Sequence, residues 1–122
     1  MTVHIGTDTA AAVERFNAAV NDHDVDAVVA AMTDDCVFES TRPPDGDRHE
    51  GEDIRAFFER LFSSARERSF ETEEMVVAGD RVAVRWLHRW VGHDGSAGHV
   101  RGVDLFTVRD GKIAAKLSYV KG

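Results

Sequence analysis

The sequence predicts an α+β domain in which helices come first and an antiparallel sheet follows. Two short helical patterns and one longer amphipathic pattern occupy the first half of the chain, and four strand patterns joined by short turns occupy the second half. Consecutive strands joined by short turns are antiparallel neighbours. Helices that precede such a sheet pack on one of its faces. The length of 122 residues fits a single domain over residues 1–122.

The first two helices are predicted from their capping residues and their apolar spacing. Asp8 or Thr9 is suited to cap the first helix, because a short polar side chain can accept a hydrogen bond from a free backbone N–H. The apolar positions of this helix are three and four residues apart: Val13, Phe16 and Val20. After the break Asn21-Asp22-His23-Asp24, the last residue of the break caps the second helix. The apolar stripe of the second helix is Val25, Val28 and Met32.

A short strand over residues 36–39 and a loop over residues 41–51 precede the third helix. This loop is the longest in the chain and contains Pro43, Pro44 and Gly46, so we expect it to form the rim or lid of a cavity. The apolar side chains of the third helix follow an i, i+3, i+4, i+7 pattern: Ile54, Phe57, Phe58, Leu61, Phe62 and Ala65. This aromatic stripe is predicted to be core, and it can also form the wall of a pocket.

Four strands complete the chain. They are predicted over residues 70–78, 81–91, 99–109 and 112–120. Gly79-Asp80 and Asp110-Gly111 mark two of the turns, and residues 92–98 form a hairpin loop. A twisted sheet that curls around three helices leaves a space between the layers, and small ligands bind in such spaces. The sequence therefore predicts a central pocket.

Composition argues against several classes of partner. Fifteen basic residues against 22 acidic ones give a formal charge of -7, so neither nucleic acid nor an anionic membrane surface is an expected partner. The longest apolar run, residues 27–32, is too short to cross a bilayer, and residues 1–9 lack the pattern of a secretory leader. We therefore expect a cytoplasmic protein. Cys36 is the single cysteine and is predicted to be a buried structural thiol.

Strand alternation separates the two faces of the strand over residues 81–91. One face is apolar apart from a single histidine: Val82, Val84, Trp86, His88 and Trp90. We place this face inward because it is the apolar one. His88 is then a candidate acid or base in the pocket. The alternative is a histidine of the core that is satisfied by a backbone carbonyl.

Asp104 is an acidic residue in the middle of the apolar stretch Val103-Asp104-Leu105-Phe106. An apolar setting favours the neutral carboxyl, which makes Asp104 a candidate general acid or hydrogen-bond donor. Lys116 and Ser118 share its predicted face on the last strand, and an ion pair between Asp104 and Lys116 is the structural alternative. With His88, these residues lie on three successive strands, so Asp104 can orient His88 or donate directly to a ligand.

Metal, nucleotide and nucleophile sites are not predicted. His88, His93 and His99 fit no standard spacing of metal ligands, and neither a metal nor another cofactor is expected. The sequence contains no phosphate-binding glycine loop, no dinucleotide fingerprint and no nucleophile elbow.

Three stretches carry a resemblance to a known superfamily. They are Asn21-Asp22-His23-Asp24-Val25-Asp26-Ala27, then Asp34-Asp35-Cys36-Val37-Phe38-Glu39, then the segment from Val103 through Gly111-Lys112-Ile113 to Tyr119. Nearly the whole chain resembles the NTF2-like superfamily, in particular its SnoaL-like (polyketide-cyclase-like) branch. The resemblance implies an α+β cone, in which three N-terminal helices pack on a strongly curved, mostly antiparallel sheet around a deep pocket. It also implies a homodimer formed through the sheet. Isomerases, cyclases, dehydratases, epoxide hydrolases and non-enzymes share this fold, so the resemblance leaves the function open.

The resemblance can be followed residue by residue. Ketosteroid isomerases have an acid at the place of Asp104 that donates to the substrate oxyanion, which this sequence matches. Their general-base aspartate falls at Ser40 and their oxyanion tyrosine at Phe16, so ketosteroid isomerisation is not expected. Members similar to limonene-epoxide hydrolase need an arginine and two aspartates, and the corresponding positions hold Trp86, His88 and Ser118. The isomerase alignment would also turn Arg85 and Leu87 toward the pocket, in place of the apolar face that carries His88.

Three functions remain open at this point. The first is proton-transfer catalysis without a cofactor (isomerisation, cyclisation or dehydration) on a compact apolar carbonyl compound, with His88 as acid or base and Asp104 as the orienting or donating carboxyl. The side chains predicted to contact this small-molecule ligand are Phe16, Phe38, Ser40, Phe58, Trp86, Phe106, Lys116 and Ser118. The second function is a non-catalytic ligand carrier or sensor with the same pocket. The third is a dimerisation or accessory module whose cavity is filled by its own side chains.

Overall fold

In the computed structural model, which describes residues 2–122 and side chains from Asp8 onward, three helices pack against one six-stranded sheet. The helices are α1 (Thr2–Asn21), α2 (Val25–Ala30) and α3 (Glu52–Ser63). The strands are β1 (Met32–Glu39), β2 (Arg48–Glu50), β3 (Glu67–Ala78), β4 (Arg81–Val91), β5 (Ala97–Arg109) and β6 (Lys112–Val120). The prediction that residues 1–9 lack a secretory leader concerns residues whose side chains are mostly outside this description. None of the helices described is long and apolar enough to span a membrane.

The predicted start of the first helix is wrong. Asp8 and Thr9 lie inside α1, which already begins at Thr2. Both residue types favour caps, but this preference is weak, and an uninterrupted helix with no proline overrides it. Asp24, in contrast, caps α2 as predicted, since its Oδ1 accepts a hydrogen bond of 3.0 Å from the backbone N–H of Ala27.

The segment between α2 and α3 contains more strand than the sequence indicated. β1 begins at Met32, which was predicted to continue the helical stripe, and pairs there with Ile113 of β6. β2 lies inside the predicted loop over residues 41–51 and pairs antiparallel with β1, with His49 opposite Phe38. Two strands therefore precede α3, so the three helices do not form a continuous N-terminal group. α3 ends at Ser63, which leaves Ala65 outside the helix.

The antiparallel meander of the last four strands is as predicted. β3, β4, β5 and β6 are neighbours in chain order, and β3 and β5 each begin a few residues earlier than expected. β6 also pairs in parallel with β1, which gives the sheet order β2-β1-β6-β5-β4-β3. The pairing of β3 with β4 shifts between Thr72 and Glu74, which marks a bulge in β3. The pairing of β4 with β5 continues without a shift.

Aromatic side chains from the helices and the sheet form the core. The ring of Phe16 lies edge-on to Phe58 and to Phe106, with centroid distances of 6.1 and 5.8 Å. Phe38 stacks on Phe58 at 5.6 Å. Such contacts stabilise the fold by about 0.5–1.5 kcal/mol each beyond the burial of their area. Cys36 is a buried free thiol, as predicted, and burial raises its pKa to about 11.

Trp86 and Gly102 form a cross-strand pair between β4 and β5. A Cβ atom placed on Gly102 would lie 2.5 Å from Cζ2 of Trp86, so the indole ring occupies the space that any other residue would need. Gly98 stands in the same relation to Trp90, four residues further along the two strands. Glycine at these two places lets the tryptophan rings lie flat against the neighbouring strand.

Candidate functional site

A cavity of about 120 Å³ lies between the helices and the inner face of the sheet. Its wall is mainly aromatic and aliphatic, with a few polar groups. The lining side chains are Phe16, Asn17, Val20, Phe38, Ser40, Thr41, Phe57, Phe58, Leu61, Phe70, Glu71, Thr72, Val84, Trp86, His88, Val100, Asp104, Lys116, Ser118 and Val120. The volume is smaller than the roughly 300–1,000 Å³ of pockets for drug-sized ligands, so the space suits a compact molecule.

All the side chains predicted to form the site line this cavity, with one exception. Phe106 lies in the core behind the wall, packed against Phe16, and does not reach the cavity. The prediction that it contacts a ligand is therefore wrong. Strand alternation placed it on the correct face of β5, where its ring lies edge-on to Phe16, which does line the cavity.

Asp104, Ser118 and Lys116 form a polar network on the sheet side of the cavity. Asp104 and Ser118 are directly opposite each other on β5 and β6. The hydroxyl of Ser118 donates a hydrogen bond of 2.7 Å to Oδ1 of Asp104, and Nζ of Lys116 donates one of 2.9 Å to Oγ of Ser118. Nζ of Lys116 also lies 3.6 Å from Oδ2 of Asp104, with side chains only 13% and 10% exposed. The ion pair between Asp104 and Lys116, which the sequence suggested as the structural alternative to a general acid, is therefore present.

Lys116 has an unusual environment for a lysine. Its Nζ lies 4.2 Å from the centre of the Phe38 ring, the residue that is its partner in the pairing of β1 with β6. Burial disfavours the ammonium form and lowers the pKa of Lys116, while the carboxylate of Asp104 opposes part of that shift. Burial is the larger of the two effects. The amine is thus easier to deprotonate than that of an exposed lysine.

His88 lies in the same cavity but does not pair with Asp104. In the register of β4 and β5, Asp104 is opposite Val84, and His88 is opposite Val100. Four residues of strand separate the two positions, about 13 Å at roughly 3.3 Å per residue. The hypothesis that Asp104 orients His88 is therefore wrong.

Arg68 on β3 is the hydrogen-bond partner of His88. Its Nη1 lies 2.8 Å from Nε2 of the imidazole, and the ring of Phe70 stacks on His88 at a centroid distance of 4.2 Å. Burial, together with the positive charge of Arg68, lowers the pKa of His88 to about 4. His88 is consequently neutral near pH 7. Because a guanidinium only donates, Nε2 of His88 accepts this bond, and its lone pair is occupied.

The choice of the inward face of β4 is confirmed. Val84, Trp86 and His88 line the cavity, whereas Arg85 points the other way and binds Glu74, with 3.2 Å between its Nε and Oε1. Leu87 is buried as well, although it lies on the opposite face of the strand. The alignment that turned Arg85 and Leu87 toward the pocket therefore does not hold.

Sequence reasoning missed five polar residues near the cavity. Asn17, Thr41, Glu71 and Thr72 belong to its lining, and Arg68 holds His88 from outside it. Arg68 was missed because the predicted strand began three residues too late. Alternation along a strand that starts at Glu67 would have placed Arg68 on the face of Thr72.

His49 is a buried histidine that supports the wall of the cavity without lining it. Its Nδ1 lies 2.5 Å from Oδ2 of Asp53, and its ring packs on Phe38 and Phe57, with centroid distances of 5.8 and 4.9 Å. Both phenylalanines line the cavity. Among the side chains described, from Asp8 onward, no cluster of three or more His, Cys, Asp or Glu residues could hold a metal ion.

Comparison with known proteins identifies the family. The family model of the SnoaL-like domain matches residues 13–116, which is most of the chain. The chain belongs to the SnoaL-like family. An NTF2-like protein of unknown function from Mesorhizobium loti is 38% identical to it, with a TM-score of 0.78 over 96% of this chain and 93% of that one. The fold of this SnoaL-like protein is thus an NTF2-like α+β fold with a curved six-stranded sheet.

Two more distant structures share the fold of this SnoaL-like protein. SalBIII, an epoxide hydrolase/cyclase-like enzyme with a role in pyran ring formation in the polyether salinomycin, is 23% identical, with a TM-score of 0.83 over 94% of this chain and 92% of that one. TerC, crystallised with polyporic acid, is 19% identical, with a TM-score of 0.82 over 93% and 92%. The comparison with curated proteins gives no match.

The polar network of this SnoaL-like domain has the elements that proton transfer requires. A carboxylate and an amine lie side by side at the wall of an otherwise apolar cavity, where charge interactions are stronger than in water. The carboxylate of Asp104 can accept a proton. The ammonium of Lys116 and the hydroxyl of Ser118 can donate hydrogen bonds to an oxygen atom that gains negative charge.

Proposed function

We propose that this protein binds a compact apolar carbonyl compound in the cavity and transfers a proton within it, as an isomerase, cyclase or dehydratase does. The observation that carries the proposal is the contact between Asp104 and Lys116, 3.6 Å apart in the wall of an aromatic cavity. A buried acid–base pair next to an apolar space is the arrangement that general acid–base chemistry needs.

The two side chains have complementary roles in this reaction. The carboxylate of Asp104 removes a proton from the carbon next to the carbonyl, and the electron pair of that C–H bond moves toward the carbonyl oxygen. Nζ of Lys116 donates a hydrogen bond to this oxygen and stabilises the enolate. Return of the proton to a different atom completes an isomerisation, and loss of a hydroxyl from the neighbouring carbon gives a dehydration. No cofactor takes part in these steps.

His88 has a different role from the one that the sequence suggested. Its Nε2 lone pair already accepts the hydrogen bond of Arg68, and its pKa of about 4 makes it a weak base. We assign it to the wall of the cavity, where its ring is stacked on that of Phe70. Aromatic walls of this kind favour planar or single-ring compounds.

The test combines binding with proton exchange. Thermal-shift measurements on a panel of small ketones, aldehydes, phenols and lactones identify ligands, and NMR in D₂O follows deuterium uptake next to their carbonyl groups. We expect uptake with the wild type and at least a hundredfold slower uptake with Asp104→Asn, since general acid–base catalysis contributes about 10²–10⁴-fold. Asp80→Asn, which changes an exposed carboxylate, is the matched control.

The possible outcomes separate the three functions. Binding without deuterium uptake would identify a ligand carrier and contradict the catalytic proposal. Neither binding nor uptake by a folded wild type would favour an accessory module. Uptake that survives in Asp104→Asn would contradict the role assigned to Asp104.

We also propose that the protein forms a homodimer through the outer face of the sheet. Val76 and Leu105 are in one row of cross-strand partners on this face, and both are unusually exposed for aliphatic residues, at 54% and 43%. Tyr119 in the next row is 55% exposed. Apolar groups on neighbouring strands form a continuous surface, and contact with a second copy would bury it.

A further inference from the structure

Lys116 combines three properties that its role as a hydrogen-bond donor does not require. It lies in the wall of a cavity, its amine is packed against the face of an aromatic ring, and its neighbour is a carboxylate that can accept a proton. The other two lysines of the sequence, Lys112 and Lys121, are exposed.

We propose that Lys116 is a nucleophile that forms an imine with an aldehyde or unhindered ketone in the cavity. This inference rests on the proposed function for the class of ligand, but it adds a covalent step. The bond forms between Nζ of Lys116 and the carbonyl carbon, and the carbonyl oxygen leaves as water.

The proton movements of this step balance with the residues present. Nζ first gives a proton to the carboxylate of Asp104, 3.6 Å away, and the free amine attacks the carbonyl carbon. The carbinolamine that forms loses its hydroxyl as water, with the proton returned by Asp104. The product is a positively charged iminium beside the carboxylate, so the net charge of the site is the same before and after the step.

The groups that face Lys116 are consistent with a free amine during attack. Phe38 covers one side of Nζ at 4.2 Å, Ser118 accepts a hydrogen bond from it, and Asp104 is the neighbouring anion. The thiol of Cys36 is also near, and its raised pKa of about 11 keeps it neutral at neutral pH. Burial lowers the pKa of Lys116, which increases the fraction of free amine.

An iminium in this position would also assist the proposed proton transfer. It withdraws electrons from the neighbouring carbon more strongly than a hydrogen-bonded carbonyl does, so the adjacent C–H bond becomes more acidic. After water has left, Asp104 is again a carboxylate and can remove that proton. The same two side chains would thus act in both steps.

The experiment traps the imine by reduction. The wild type is incubated with benzaldehyde at pH 7 in the presence of sodium cyanoborohydride, which converts an imine into a stable benzyl-lysine, and peptide mapping by mass spectrometry locates the label. We expect Lys116 to be labelled severalfold faster than Lys112 or Lys121, because burial lowers the pKa of its amine and so raises the fraction of free amine. In Lys116→Arg, which keeps a charged donor but cannot form an imine, the selective label should disappear.

Binding is followed in the same samples, so that this inference and the proposed function can fail separately. Benzaldehyde that raises the melting temperature without labelling Lys116 would overturn the imine and leave acid–base catalysis standing. Equal labelling of the three lysines would overturn it too. Absence of binding by benzaldehyde and by the whole carbonyl panel would count against both.

Discussion

Nη1 of Arg68 donates a hydrogen bond of 2.8 Å to Nε2 of His88, and this contact determines the chemistry of the histidine. A histidine that accepts from a permanently charged donor is held neutral, because protonation would place two positive charges in contact. The same contact fixes the ring in the wall of the cavity, where Phe70 stacks on it.

The first prediction concerns stability at acidic pH. An unfolded histidine takes up a proton near pH 6.5, but folded His88 does so only near pH 4. The unfolded state is therefore favoured as the pH falls between these values, and stability that is fully present above pH 6.5 is lost. His88→Gln keeps an acceptor for Arg68 and removes the titrating group. Between pH 6.5 and pH 4 the free energy of unfolding of this variant should therefore fall by about 1–2 kcal/mol less than that of the wild type, a figure that allows for the partial exposure of the ring.

Urea unfolding at pH 7 and at pH 4 measures this difference, and an NMR titration of the histidine Cε1–H signals measures the pKa directly. Replacing Arg68 by Met should raise the pKa of His88 while leaving it below 6.5, since burial is the larger cause of the shift. A pKa of His88 near 6.5 in the wild type would contradict both the burial of the ring and its contact with Arg68.

The second prediction concerns the buried pair of Asp104 and Lys116. Lys116→Met leaves the carboxylate buried without its cation and should lower the free energy of unfolding by about 3 kcal/mol. The double variant Lys116→Met with Asp104→Leu removes both charges and should recover most of that loss. Denaturant unfolding of the wild type, the two single variants and the double variant gives the coupling energy.

Arg42→Met is the matched control for this cycle, because Arg42 and Asp47 form an ion pair in which both side chains are exposed. This control should change stability by less than about 1 kcal/mol. If the double variant is as unstable as the sum of the single variants, the two side chains do not interact.

The third prediction concerns the space beside Trp86. Gly102→Ala puts a methyl group 2.5 Å from Cζ2 of the indole and closer still to the backbone oxygen of Tyr119, so β6 or the ring must move. We expect a loss of about 1–3 kcal/mol in the free energy of unfolding, a change in tryptophan fluorescence, and weaker ligand binding. Gly98→Ala has the same geometry against Trp90, which is only partly buried and can move outward, so its effect should be smaller.

The fourth prediction tests the homodimer. Leu105→Glu places a charge in the apolar row of the outer face that contains Val76, and it should convert a dimer to a monomer in sedimentation-velocity measurements at several concentrations. Lys112→Glu reverses an exposed charge at the start of β6 and should leave the dimer intact. A wild type that is monomeric even at high micromolar concentration would rule the dimer out.

The faces of the strands could be predicted from the sequence because alternation is a local property. Two residues of strand always return a side chain to the same face, so His88, Asp104 and Lys116 could be assigned to one cavity before any partner strand was known. The α+β class and the antiparallel meander followed from turns of a few residues, which are also local signals.

Contacts between strands could not be predicted in the same way. Register depends on where each turn closes and on the bulge between Thr72 and Glu74, and neither is visible in the alternation. The separation of His88 from Asp104 follows from the register of β4 with β5, which contains no bulge and depends on where the hairpin loop between these strands closes. β2 was missed because three residues in a polar loop become strand only when β1 supplies the partner. Phe106 was misplaced because the depth of a side chain depends on what packs over it.

The position of β6 between β1 and β5 has a consequence for how the protein is made. β6 is synthesised after every other strand, yet it is the strand that joins β1 and β2 to the rest of the sheet. During translation the chain can form a hairpin-like meander of β3 to β5, but the pair of β1 and β2 must wait for β6. The residues of β6 lie about 80 positions after their partners in β1, and such non-local pairing is slow. The polar residues Lys116 and Ser118 arrive with that same strand. A nascent chain therefore carries Asp104 before the two side chains that contact it, so the polar network forms only in the step that completes the sheet.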